Sequence, residues 1–129
     1  MTRPNTRLSI RIDLENGDNL GSEEIGLLEA IQSQGSITAA ARSLSMSYRC
    51  AWLWVDHINH ILFSPAVRSA VGGLKGGGAT LTPTGVPFVK LYRAIEARAQ
   101  SAAIAQRNAL RRLARSERMR DAAARGMIE

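Results

Sequence analysis

The sequence predicts a mainly α-helical protein with a small β component: a winged helix-turn-helix leading into a long C-terminal helix. Three observations point there. A short helical stretch and a longer one, each opened by a serine suited to capping (Ser36 and Ser47), meet at a tight turn at Ser45-Met46. A glycine-rich hairpin follows at once, with Gly72-Gly73-Leu74-Lys75-Gly76-Gly77-Gly78 joining the strand candidates Ala66–Val71 and Ala79–Leu81. Beyond it Phe88, Leu91, Tyr92 and Ile95 recur at helical spacing.

Taken in order, Leu8-Ser9-Ile10-Arg11-Ile12-Asp13-Leu14 alternates apolar and polar residues, which is the period of a strand with one buried face. Asn16-Gly17-Asp18 ends it with turn chemistry. Ser22-Glu23-Glu24 opens a first helix, with a capping serine and two acids at the positive end of the dipole. Its inward side is Ile25, Leu28, Ile31 and Leu27, and Gly35 closes it. The second helix spans about Ile37 to Leu44, and its small residues Ala39, Ala40 and Ala41 permit close helix crossing. The third runs from Ser47 to about Phe63, stopped by Pro65, with Ala51, Val55, Ile58 and Leu62 facing inward. Leu44 and Met46 are expected to bury the turn between them. Thr82 or Thr84 caps the last helix, which is expected to continue through Ile104, Leu110 and Leu113 and to fray after about Met119.

The chain has 129 residues, 45% hydrophobic and 22% charged, a composition for one globular domain with a tail. Residues 1–97 are expected to form the winged domain including the start of the long helix, and residues 98–129 an Ala/Arg-rich helical extension. No window is apolar enough for a membrane helix, and Met1 to Leu14 has no signal-like apolar run; with the single Cys50, this leads to an expected cytoplasmic location. His57 and His60 beside Asp56 and Cys50 make a poor metal set and read as surface polar groups, so no metal and no cofactor is expected. No Ser-His-Asp order, carboxylate pair or nucleotide fingerprint stands out, and Lys75 is followed by glycine rather than Ser or Thr, so an enzyme is not expected.

The formal charge is +6, unevenly spread: residues 1–35 carry −3, residues 36–97 carry +4 and residues 98–129 carry +5. A basic body suggests a polyanionic partner, most often nucleic acid; the plain alternative is that arginines keep an Ala-rich helix in solution. In a helix-turn-helix the N-terminal end of the second helix enters the major groove. That singles out Tyr48, Arg49 and Trp52: Arg49 for guanine or phosphate, the two aromatic rings for thymine methyls or sugars. Trp52 could instead pack against the wing as core, and Trp54 reads as structural. Ser36, Thr38 and Ser47 stand where backbone N–H groups meet phosphate, and Arg68 and Lys75 are the wing's cations.

These residues resemble known families. Gly35-Ser36-Ile37-Thr38-Ala39-Ala40-Ala41-Arg42-Ser43-Leu44-Ser45-Met46-Ser47 is similar to the helix-turn-helix of LysR-type regulators. Ser47-Tyr48-Arg49-Cys50-Ala51-Trp52, then Asn59, then Gly73-Leu74-Lys75-Gly76-Gly77-Gly78-Ala79-Thr80-Leu81-Thr82, resembles the N-terminal DNA-binding domain of ModE-type molybdate-responsive regulators over roughly residues 8–97. The family typically has Lys where Arg49 stands, and a smaller residue at Trp54. The resemblance implies a winged helix-turn-helix, dimerisation through the strand and long helix, and operator binding. Such regulators usually continue into β-barrels that bind molybdate. Residues 98–129 show no alternating strands, so molybdate is not expected to bind directly.

The expected function is a dimeric, sequence-specific, DNA-binding transcriptional regulator, with the third helix in the major groove of double-stranded DNA and the wing on the backbone. The alternative is an architectural or protein-interaction module that binds nucleic acid non-specifically through its Arg-rich helix. For the homodimer the expected contacts are Leu8, Ile10 and Ile12 on a strand lacking a partner, with Phe88, Leu91, Tyr92 and Ile95 on the long helix.

Overall fold

A computed structural model describes residues 7–70 and 77–114. Residues 9–95 form one compact unit; residues 7–8 and 96–114 fall in a second. The elements in chain order are β1 (Arg11–Asp13), β2 (Asn19–Gly21), α1 (Ser22–Gln34), α2 (Ile37–Ser43), α3 (Tyr48–Ile61), β3 (Val67–Ser69), β4 (Ala79–Leu81), α4 (Gly85–Ala102) and α5 (Ile104–Leu113).

The strand expected over Leu8–Leu14 is shorter, and it has a partner within the chain. β1 pairs antiparallel with β2, Ile12 opposite Leu20, and the turn between them is the Asn16-Gly17-Asp18 one, where Gly17 adopts φ 94°. The Asn16 side chain accepts from Asp18 N at 2.9 Å and Leu14 N donates to Asp18 O at 2.7 Å. Alternation marked β1, but Asn19-Leu20-Gly21 is too short to show a period, so β2 is missed and β1 looks unpaired in sequence.

Helix α1 begins one residue earlier than a Ser22 cap would place it. Gly21 is the cap residue, and its N–H is held by the Glu24 carboxylate at 2.7 Å. Ile25, Leu27, Leu28 and Ile31 are wholly buried, joined by Ile37, Ala40 and Ala41 of α2 and Ala51, Val55 and Ile58 of α3. Each fully buried Leu or Ile contributes roughly 1.5–3 kcal/mol, so this three-helix apolar centre holds α2 and α3 at their crossing. The serines act as expected: Ser36 Oγ accepts from Ala39 N and Ser47 Oγ from Cys50 N, each at 3.0 Å. The turn between α2 and α3 places Ser45 at φ 56°. Met46 is half-buried there, but Leu44, expected inside, is 43% exposed.

The wing hairpin pairs β3 with β4, Arg68 opposite Thr80. Asn59 fastens it to α3: its Oδ1 accepts from Ala66 N at 2.8 Å and Val67 N at 3.1 Å, and its Nδ2 donates to Val67 O at 3.3 Å. On the other side, Ala79 N donates to Gly35 O at 2.8 Å, tying β4 to the turn between α1 and α2. The strand candidate Ala66–Val71 contracts to β3; Val71 and the wing residues through Gly76, Lys75 among them, lie outside the described residues.

Of the two candidate caps, Thr82 opens α4. Its hydroxyl accepts from Thr84 N and Gly85 N at 3.1 and 3.0 Å and donates to Pro65 O at 2.6 Å. Gly85 lets the helix start against β3, since a Cβ there would sit 2.2 Å from Ala66 O. Within residues 85–95 the inward residues are Val89 and Tyr92, while Leu91 and Ile95, expected on the same stripe, are 65% and 47% exposed. Arg93 makes two hydrogen bonds to the Glu29 carboxylate on α1, at 2.7 and 3.0 Å. They hold the Glu29 carboxyl below its ordinary value of 4.5, against the opposing effect of partial burial.

In the second unit, Leu8 and the Gln100 side chain form a reciprocal pair: Leu8 N donates to Oε1 at 3.2 Å, and Nε2 donates to Leu8 O at 2.9 Å. The expected single long helix is interrupted at Ala103, after which α5 carries Arg107, Arg111 and Arg112 and buries no side chain. The expected fraying point at Met119 lies outside the described residues.

Candidate nucleic-acid interface

The first turn of α3, the start of α2 and the wing enclose a cleft of about 390 Å³. Ser36, Thr38 and Arg42 line it from the α2 side, Tyr48 and Trp52 from α3, and Ser69, Ala70 and Gly77–Ala79 from the wing. Among the described residues no acidic side chain lines it. The capping serines dictate this arrangement. Ser36 caps α2 one residue after Gly35, and Ser47 caps α3 three residues after Leu44, so the first turns of both helices stand at the cleft.

Trp52 is not core. It is 40% exposed and Tyr48 52% exposed, with their rings edge to face at 78° and centroids 6.4 Å apart. The indole Nε1–H donates to the Tyr48 hydroxyl, one helical turn away. This bond uses the indole's sole donor, so Trp52 offers a partner only ring surface. Trp54, by contrast, is half-buried against the core, as expected of a structural residue.

Residues are about 100° apart around a helix. Opposite buried Ala51, Val55 and Ile58, α3 therefore presents Arg49, Leu53, Asp56 and His60, all exposed. Arg49 makes no ion pair with a described residue, whereas His60 Nδ1 lies 3.5 Å from Asp56 Oδ1.

The structure thus gathers Ser36, Thr38, Tyr48 and Trp52 into one cleft and sets Arg49 on the adjoining outward face. Ser47 stands at the start of α3 with its hydroxyl committed to the cap. Arg68 is exposed on β3, in a separate recess of about 340 Å³ with Pro65, Pro83 and Thr84. Sequence reasoning missed Arg42 and Leu53. Arg42 stands four residues after Thr38, on the same helical face, a spacing visible in the sequence. Leu53 lies opposite the inward Ala51, Val55 and Ile58 by helical spacing, so its outward placement is also readable in the sequence. Among the described residues no three of His, Cys, Asp and Glu come together as a metal site, and no helix is long and apolar enough to cross a membrane.

Of the residues expected at a dimer interface, Leu91 and Ile95 are exposed, while Leu8, Ile10, Ile12 and Phe88 are half-buried. Tyr92 is corrected: it is 2% exposed, and its hydroxyl donates to Ile10 O at 2.5 Å, so it serves the interior of its own unit.

No protein-family model matches the chain. Among curated proteins it is 48% identical over 81 residues to the molybdenum-pterin-binding protein MopB of Rhodobacter capsulatus, covering 63% of this chain and 30% of that one. It is 39% identical over 102 residues to the molybdenum transport protein ModE of Azotobacter vinelandii, covering 79% and 38%. To the DNA-binding transcriptional dual regulator ModE of Escherichia coli K12 it is 38% identical over 68 residues, covering 53% and 26%. The chain spans about a third of the length of these relatives. Among solved structures, a CbnR_DBD–DNA complex superposes with TM-score 0.54 at 21% identity, covering 69% of this chain and 97% of that one. A MepR–DNA complex from S. aureus superposes with TM-score 0.50 at 16% identity, covering 70% and 73%. Both share the winged helix-turn-helix fold.

Proposed function

We propose that this chain, a relative of the ModE-type transcriptional regulators over the residues they share, is a sequence-specific DNA-binding regulator of transcription. The observation that carries the reading is the cleft between α3 and the wing, free of acidic side chains among the described residues, beside an outward α3 face led by Arg49. A strand of the sugar–phosphate backbone passes through the cleft, with Arg42, Thr38 and Ser36 toward phosphate and the Tyr48 and Trp52 rings against sugar. Arg49 reaches base edges in the major groove, and Arg68 and Lys75 extend the phosphate contacts along the wing.

Titration of a selected duplex and a scrambled one at several salt concentrations tests this. Arg49→Ala is expected to cost about 1–3 kcal/mol on the selected duplex and to relax its preference. Arg42→Ala and Lys75→Ala are each expected to weaken both duplexes alike and to lower the salt slope by about one phosphate contact. Equal weakening by Arg49→Ala on both duplexes would make Arg49 a phosphate clamp. Equal affinity of the unaltered protein for both duplexes would favour the architectural reading, in which the arginines of α5 bind DNA without reading it.

The protein acts as a homodimer in this proposal, with exposed Leu91 and Ile95 of α4 in the interface. The pairing of β1 within the chain removes the argument from a lone strand and leaves the helix as its support. A monomer by light scattering at tens of micromolar, on the order of weak-dimer concentrations, would refute it. This stretch of chain does not itself hold molybdate, so molybdate or tungstate is expected to leave its melting temperature unchanged. It works in the cytoplasm, without cofactor, and catalyses no reaction.

A further inference from the structure

We infer that Leu53 is a specificity-determining residue that reads the methyl group of a thymine in the major groove. The inference rests on the DNA-binding reading above. Leu53 is 57% exposed and lies about 140–160° around α3 from each of the buried residues Ala51, Val55 and Ile58, so it points away from the core. Its neighbours on that face, Arg49, Asp56 and His60, are polar and exposed. Trp52 lies nearer the flank: it is turned into the cleft and held there by its hydrogen bond to Tyr48.

Leu53 follows Arg49 by one helical turn, a rise of about 6 Å, which places its side chain one or two base pairs along from the base that Arg49 meets. The major groove offers a leucine one apolar feature, the C5 methyl of thymine. The aromatic pair then contacts the backbone, and the aliphatic side chain carries the methyl readout.

A duplex selected from a random pool by the unaltered protein provides the test. Each thymine is replaced in turn by deoxyuridine, which removes the methyl and leaves every hydrogen-bonding group. One position is expected to lose about fourfold in affinity, the equivalent of one buried methyl-sized group. Leu53→Ala is expected to bind the thymine duplex about fourfold less well and to be indifferent to deoxyuridine at that position. Because Leu53 is exposed, this variant keeps the fold, which circular dichroism verifies. Trp52→Ala is expected to bind all duplexes more weakly while keeping the deoxyuridine effect. A selected duplex with no deoxyuridine-sensitive position, or a sensitivity that vanishes in Trp52→Ala and survives in Leu53→Ala, overturns the inference and leaves DNA binding standing. Failure of the pool to yield any preferred duplex overturns both.

Discussion

The same substitution at two glycines is expected to shift stability in opposite directions. At Gly85 an added Cβ would lie 2.2 Å from Ala66 O and 3.0 Å from Ala66 C. Ala66 O cannot simply retreat, because it accepts from Thr82 N at 2.9 Å, and Ala66 N is held by Asn59 at 2.8 Å. The start of α4 must therefore move by about 1 Å, pulling Gly85 N from the Thr82 hydroxyl it donates to. Overpacking of this kind costs roughly 1–3 kcal/mol, occasionally more. The helix propensity gained by alanine, about 1 kcal/mol in a helix interior and less at a first position, offsets only part of it. The net expectation for Gly85→Ala is a loss of about 1–3 kcal/mol. Gly26 lies inside α1, and a Cβ there would meet nothing within 4 Å. Gly26→Ala is expected to stabilise by about 0.5–1 kcal/mol through the unfolded chain's lost freedom. Urea unfolding followed by circular dichroism at 222 nm, a helix signal, reads both as shifts in midpoint at constant slope. A Gly85→Ala protein as stable as the parent would refute the close approach of α4 to β3, and a destabilised Gly26→Ala protein would refute the open space beside α1.

Asn59→Ala leaves the N–H groups of Ala66 and Val67 without their acceptor, so a loss of about 2–4 kcal/mol in urea unfolding is expected, from roughly 1–3 kcal/mol per buried unsatisfied group. Asn59→Asp, which keeps the acceptor and loses the donor to Val67 O, is expected to lose less; equal losses would refute the assignment. Glu29 is held below its ordinary 4.5 by Arg93, so its contribution to stability is whole above that pH and is lost as pH falls through the lowered folded-state value. Glu29→Gln is accordingly expected to flatten the acid limb of a stability–pH profile, and an unchanged limb would refute the pairing.

Much of this protein was settled by residue order alone. The caps Ser36 and Ser47, the inward Ala51, Val55 and Ile58, the turn at Asn16-Gly17-Asp18 and the wing's second strand are local, and local chemistry states them directly: a hydroxyl at an N-terminus, a period of 3.6, a glycine that accepts positive φ. Arg49 was legible as an exposed cation, because charge sits where the core is not, whereas Arg42 in the cleft was passed over. Tertiary structure decided what depends on partners distant in sequence. β2 exists because Leu20 must be buried and Ile12 lies opposite it, which no window of three residues reveals. Leu91 and Tyr92 share a spacing class, yet one is exposed and the other buried, because the position of α4 against α1 selects the side that faces inward. Gly85 reads as an ordinary helix-start glycine until Ala66 O is set against it across the fold. Leu53 draws on both: helical spacing sets it opposite Ala51, Val55 and Ile58, and the fold leaves it 57% exposed.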